Sequence, residues 1–453
     1  MIMAHNGTTS PVQLTGHPLQ YTMFIPSAFP PDPAARQPLT VAAILPLYAC
    51  QYLLAVLAIL PHTRILRLAF VPVVLWQAWH CAVGLDFSAG MGKLLGLDDV
   101  GRINNWNYGY VVRTSFAKSV FFVFFCFFFT RFFFLAQVGI IDTALRSVEW
   151  ALAKKPLRRY EPPTGEGQRA LVERALSIPN VLLDAFDLMC NKRGIGWSWS
   201  RKPFPPPSTR STSIASILAR IAVKYTAYDL FACAVHRLRP SVNDPAGDTI
   251  FDPALDVLPR WARAALFTAC CGMVVHTSVD LYYHAASLVG RLVLRQPAWQ
   301  WPPISDRPWM ATSIADFWAF RWHQVFRHVF VVFGARPGAA AFGRPGALLG
   351  AFAVSAVVHD LGMWGLGRGT EFSTVGSFFI LMGVGVTLEL AFKGVTGRSV
   401  GGVCGWAWTM AWTIGWGTLM VDAWARRGMV ASESPPDWLR PGKLLVETIV
   451  SIL

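Results

Sequence analysis

Long apolar runs recur along nearly the whole of this chain, and they leave most of it a single solvent, lipid. A helix needs roughly 20 mostly apolar residues to cross the ~30 Å hydrocarbon core of a bilayer. Runs of that kind stand at about 41–60, 68–85, 117–141, 213–236, 262–290, 346–366, 372–392 and 402–424. Charged residues make up only 15% of the chain, against roughly 25% in a soluble domain. In lipid every backbone N–H and C=O must be satisfied internally, which allows helices or closed barrels; the run lengths select helices. The expected fold is therefore an all-α polytopic membrane protein. It has about eight transmembrane helices, with short re-entrant or interfacial helices around an intramembrane tunnel. A shorter apolar piece at 325–333 reads as re-entrant or half-spanning, and 444–453 as a partial helix.

Loop charge orients such a chain, because short loops rich in Lys and Arg stay cytoplasmic. Segment 142–212 carries Arg146, Lys154, Lys155, Arg158, Arg159, Lys192 and Arg193 among others, and reads as cytoplasmic. Segment 237–261 balances its arginines with Asp244, Asp248, Asp252 and Asp256, and reads as lumenal. Residues 1–40 then form a polar lumenal tail with a sequon at Asn6, and 41–453 a single transmembrane domain whose candidate catalytic segment is 291–366. No basic stretch leads into an apolar one near Met1, so no cleavable signal peptide is expected. The net charge of +14 does not indicate nucleic acid, since the basic residues sit in loops between spans; it suits an anionic headgroup or a nucleotide-bearing cosubstrate. The 8 cysteines include no CxxC pair and fall mostly in apolar runs. They read as small buried hydrophobes rather than a disulfide or zinc framework.

Two clusters break the apolar pattern. His359-Asp360 interrupts the run that begins at Phe352. An ionisable residue inside a span is a functional-site hypothesis by default, because an apolar residue would fill the space without polar cost. Asp360 points about 100° away from His359 on a helix and does not share its face. Upstream, Ser313-Ile-Ala-Asp316-Phe317-Trp318-Ala-Phe320-Arg321-Trp322-His323-Gln324 offers a second histidine among aromatic and polar residues. On a helix Trp318 would face Trp322, and Phe320 would face Gln324; an amphipathic interfacial helix would explain the Trp and Arg equally well. A third set, His276, Asp280 and His284, is spaced i, i+4, i+8 and lines one helical face, which reads as a pocket or tunnel wall. Its HxxxD string also occurs in soluble CoA-dependent acyltransferases, whose fold the composition excludes. No metal site is expected. Arg193-Gly194-Ile195-Gly196-Trp197-Ser198-Trp199 suits either an interfacial anchor or a substrate entrance.

The block Asp316-Phe317-Trp318 followed by Arg321-Trp322-His323-Gln324, then Ser355-Ala-Val-Val-His359-Asp360, resembles the membrane-bound O-acyltransferase superfamily, most nearly its wax-synthase-like branch. Arg193-Gly-Ile-Gly-Trp197 and Trp301-Pro302-Pro303 are similar to fungal members of that branch, which acetylate terpenoid and meroterpenoid alcohols. The resemblance implies an endoplasmic-reticulum multi-pass enzyme with no bound cofactor, using acetyl-CoA or another acyl-CoA as cosubstrate and a lipophilic alcohol as acceptor. It places the intramembrane catalytic histidine at His359 and the second polar position at His323. Asp316, Trp318, Arg321, Trp322, Gln324, Asp360, His276, Asp280 and His284 are candidates for contacting the substrates. Where the family often has Glu after the histidine, this chain has Asp360. Alternatives are a long-chain wax or sterol ester synthase and, in another class, a proton-coupled transporter.

Overall fold

The computed structural model describes residues 36–38, 40–86, 132–161, 172–200, 213–244, 246–365, 369, 371–431 and 440–452. Asn6, Cys126, the larger part of the 117–141 run, and Arg201, Lys202 and Arg210 lie outside the described residues. Within them the chain is helical, with only two pairs of two-residue strands.

The helices are α1 (Val41–Ile59), α2 (Arg64–Gly84), α3 (Phe132–Leu152), α4 (Ile178–Cys190), α5 (Ile214–Leu238) and α6 (Val257–Leu292). A hairpin follows, from α7 (Arg327–Phe330) through a wider π turn (Val331–Ala335) into α8 (Arg336–Gly365). Then come α9 (Val375–Thr396), α10 (Gly402–Arg426) and α11 (Pro441–Ile452). Among the described residues five helical stretches are long and apolar enough to cross a membrane: Ala42–Ile59, Arg64–Gly84, Val257–Leu292, Arg327–Trp364 and Val375–Thr396. α5 and α10, 25 residues each, occupy two more of the expected runs. The chain is an all-α polytopic membrane protein.

Arg327–Trp364 is not one straight span. At Phe342 (φ −134°, ψ 18°) and Gly343 (φ 64°, ψ −147°) the backbone leaves the helix and reverses. Gly343 holds a conformation that a side chain would strain. The two arms then meet glycine on glycine. A methyl group on Gly334 would overlap the Gly350 carbonyl, and one on Gly338 would overlap that of Gly346. Small residues of this kind let helix backbones approach in lipid, where packing rather than the hydrophobic effect drives association. The 325–333 piece is thus the start of a re-entrant arm, and the hairpin brings residue 359 back to the level of residues 323–328.

Two apolar clusters organise the bundle. One joins α1 to α4 around Leu47, Leu54, Val74, Trp150 and Leu188. The other joins α5, α6, α9 and α10 around Phe267, Val274, Met382 and Met420, and takes in Ile314 and Met363. The hairpin packs against both α3 and α9. α3 runs to Leu152, well past the end expected near 141. Asp142 and Arg146 are buried in it and paired: Lys192 Nζ lies 2.5 Å from Asp142, and Arg146 lies 3.1 Å from Glu149. The carbonyls at its C-terminal end receive Arg67, 2.5 Å from Trp150 O and 3.0 Å from Ala153 O, a favourable place for a cation. Asp229 of α5 does the converse for α11, accepting from Lys443 N at 3.0 Å and from Arg440 Nε at 3.0 Å.

Candidate active site

The segment linking α6 to the hairpin begins its short α-helical turn at Ser313, whose Oγ accepts from Asp316 N at 2.9 Å. The other exposed N–H groups of that turn go to a carboxylate from α9. Glu389 accepts from Ile314 N at 2.6 Å, Ala315 N at 3.0 Å and Trp408 Nε1 at 3.1 Å. Negative charge at a helix N-terminus meets both the free donors and the dipole. After Asp316 the helix widens into a π turn, Phe317–Arg321, and stops; Trp322 is extended (φ −71°, ψ 161°). The helical alternative weighed for 313–324 is therefore replaced by a turn and a link. Gln324 explains the stop. Its Nε2 donates to Trp318 O at 3.2 Å and Trp322 O at 2.7 Å, taking carbonyls that continuing helix would have used. Trp318 and Trp322 still meet edge-on at 6.0 Å, whereas Phe320 is exposed.

His323 stands in this link. Its Nδ1 is buried and has no hydrogen-bond partner in the protein, and the same holds for Trp318 Nε1 and Gln324 Oε1. His359, His276 and Asp280 are all within electrostatic reach of His323. His359 lies on the returning arm, its ring stacked 4.2 Å from that of Phe379. Its Nδ1 is 2.7 Å from Ser355 O, with Ser355 Oγ at 3.4 Å. A carbonyl only accepts, so Nδ1 carries the proton in the neutral ring and Nε2 is the basic nitrogen. The Ser355 carbonyl, rather than its hydroxyl, orients the imidazole. Trp318 closes this region, in edge contact with Phe352, Phe378 and Phe379 at 5.9, 6.2 and 6.3 Å.

Three expected substrate contacts have partners within the protein. Arg321 Nε is 2.6 Å from Asp316, closing the π turn on itself. Asp360 accepts from Glu371 N at 2.9 Å, and Glu371 in turn binds Arg426 at 2.6 Å and Arg427 at 3.2 Å. Asp360 thus ties the loop before α9 to α8, on a different face from His359. These three thus have an architectural role in the fold.

His276, Asp280 and His284 do share a face of α6, and all three are buried; His284 lines a small cavity with Tyr283, Ser287 and Trp301. His276 and Asp280 meet a lysine from α5. Lys224 Nζ lies 2.7 Å from Asp280 Oδ2 and 3.5 Å from His276 Nε2. Ser305 Oγ donates to Asp280 Oδ1 at 2.6 Å, and His284 Nδ1 to Asp280 O at 2.6 Å. His276 sits between Trp309 (5.6 Å) and Trp322 (6.1 Å). Lys224 and Glu389 went unremarked in the sequence, although each is a charge inside an expected span, Glu389 a lone one, and falls under the same rule that singled out His359.

The Arg193–Trp199 loop is not a headgroup anchor. Trp197 is fully buried and donates to Asp187 at 2.8 Å. Gly194 (φ 71°) and Gly196 (φ 79°) make the turn. Arg193 donates to Pro302 O at 2.7 Å, and Trp199 packs 4.2 Å from His328, so the loop grips both ends of the segment bearing His323.

Residues 301–381, which contain both histidines and the hairpin, match the membrane bound O-acyl transferase family. The chain is also similar to the O-Mevalon transferase yanI of Aspergillus niger, 25% identical with 45% of this chain and 51% of that protein covered. It is similar to a long-chain-alcohol O-fatty-acyltransferase of Simmondsia chinensis, 28% identical with 30% and 39% covered. A third relative is the acetyltransferase eriL of Hericium erinaceus, 25% identical with 53% and 66% covered. The chain thus spans between 39% and 66% of the length of these relatives. The resemblance to the wax-synthase-like branch is borne out.

Proposed function

We propose that the chain is an acyl-CoA-dependent O-acyltransferase acting on a lipophilic alcohol within the membrane. The observation that carries this reading is the orientation of His359: Ser355 O holds Nδ1–H, which makes Nε2 the basic nitrogen of the neutral ring, and the ring is within electrostatic reach of His323, whose buried Nδ1 has no protein partner. A buried polar nitrogen without a partner is costly; with the proton on Nδ1, a carbonyl oxygen developing negative charge would relieve it. His359 Nε2 takes the hydroxyl proton as the alcohol oxygen attacks the thioester carbonyl carbon. His323 donates to the resulting oxyanion. The C–S bond then breaks, and the proton passes from His359 to the CoA sulfur, giving ester and free thiol. No acyl-enzyme is needed.

The donor we favour is acetyl-CoA and the acceptor a terpenoid or meroterpenoid alcohol, in keeping with the acetyltransferase named among the relatives. The fatty-acyltransferase relative supports long-chain transfer as the second reading. For this multi-pass membrane protein we propose the endoplasmic reticulum as the membrane. A proton-coupled transporter is disfavoured, because Lys224 and Ser305 fill the Asp280 face that a wet path would need. The test is incubation of the purified protein with radiolabelled acetyl-CoA, palmitoyl-CoA and a panel of lipophilic alcohols. Labelled ester with acetyl-CoA is expected; ester from palmitoyl-CoA alone selects the second reading, and no ester from either donor removes the function proposed.

A further inference from the structure

We propose that Lys224, Asp280 and Ser305 are positioning residues for His323, forming a strut from α5 through α6 to the link that bears it. The inference rests on the acyltransfer reading for its kinetic consequence but on geometry alone for its existence. Asp280 divides its carboxylate between two partners: Oδ2 faces Lys224 Nζ at 2.7 Å, and Oδ1 accepts from Ser305 Oγ at 2.6 Å. An ion pair serving only to join α5 and α6 would have no use for Ser305. That serine sits at a particular place in the chain. Its two neighbours pair with the backbone on both sides of His323: Gln324 N donates to Ile304 O at 3.3 Å, and Asp306 N donates to Arg321 O at 2.9 Å. Residues 322 and 323 are therefore bracketed by two hydrogen bonds whose midpoint is pinned to Asp280.

The side chains repeat the arrangement. His276 Nε2, 3.7 Å from Asp280 Oδ2, belongs to a ring that packs 6.1 Å from Trp322, the residue preceding His323. The strut is needed because nothing regular holds this stretch: the π turn ends at Arg321, and the helix resumes only at Arg327. A group that must meet a developing charge has to be held within a fraction of an ångström, and a misplacement of about 1 Å costs up to about 10²-fold in rate. Lys224 also supplies the opposite charge that a carboxylate among apolar helices needs, an unpaired ion there being costly.

The test uses the full chain in detergent micelles and has two arms. In hydrogen–deuterium exchange, Ser305→Ala is expected to speed exchange in peptides covering 304–306 and 321–324, while peptides from 375–396 keep the native rate. Unchanged exchange at 321–324 overturns the strut whatever the activity. In the kinetic arm, with acetyl-CoA and farnesol as probes, Ser305→Ala is expected to lower kcat by about tenfold or more with KM for acetyl-CoA unchanged, and Ser305→Thr to recover most of the loss. A loss confined to KM, or none, overturns it. Asp280→Asn keeps an acceptor for Ser305 but strands Lys224, so the pair Lys224→Met with Asp280→Asn is expected to express and turn over better than Asp280→Asn alone. A double variant no better than the single one removes Lys224 from the proposal. If the native chain esterifies no alcohol, the acyltransfer reading falls while the exchange arm still decides the strut.

Discussion

The carbonyl oxygen of Ser355 lies 2.7 Å from Nδ1 of His359, one helical turn away on the same arm of the hairpin. In a regular helix that carbonyl would bond only the backbone N–H of residue 359. Here it also receives the side chain, so a main-chain atom that substitution at position 355 cannot delete sets the tautomer of the imidazole.

Loss of the base follows most directly. A general base contributes roughly 10²–10⁴ in rate, so His359→Ala should reduce acyl transfer by at least that lower bound while thermal unfolding stays near native. Gln at the same position should not restore it, since an amide does not take the proton. Retention of a tenth or more of native turnover by a folded variant would show that another group is the base.

His323 has a different signature. Removing one donor to an oxyanion typically costs ~10²–10³ in kcat. His323→Ala should show that loss at nearly constant KM, and His323→Asn, which still donates, should lose less. Single-turnover kinetics with labelled acetyl-CoA make the comparison, and equal losses in the two variants would remove the donor role.

Glu389 makes a prediction about stability. Its carboxylate accepts from Ile314 N, Ala315 N and Trp408 Nε1. Gln replaces one acceptor oxygen by a donor facing an N–H, at a cost of about 1–3 kcal/mol. The midpoint of thermal inactivation in detergent should fall for Glu389→Gln and further for Glu389→Leu. An unchanged midpoint in both would mean that the 313–321 turn forms without this cap.

The hairpin can be tested through its glycines. In Gly338→Val the added methyl groups meet the Gly346 carbonyl, a contact no rotamer relieves because Cβ itself overlaps it. The arms should separate, with loss of both yield and turnover; overpacking of this kind costs at least ~1–3 kcal/mol. Gly394→Ala, whose added methyl meets nothing within 4 Å, should be close to neutral in the same fluorescence-detected chromatography. Similar profiles for the two variants would show that the arms do not pack as closely as described.

The class of fold and the two histidines were readable from residue order, because lipid imposes a length on each span and makes every polar interruption expensive. His359 stands out for that reason, and so, read with equal rigour, would Lys224 and Glu389; His323 stands out instead by its aromatic and polar neighbours, outside every expected run. What residue order could not supply was partnership. Whether Asp280 faces water or a lysine depends on α5 packing against α6, 56 residues apart in sequence at the atoms concerned. Whether Trp318 and Gln324 lie on one helix depends on a glutamine side chain that takes the helix's own carbonyls. The short apolar piece at 325–333 was legible as re-entrant, but not the partner it folds back on, because the register of the Phe342-Gly343 reversal is set by glycine-to-glycine contacts that hydropathy does not record. Composition and periodicity report what each residue needs from its surroundings; the tertiary structure decides which neighbour supplies it.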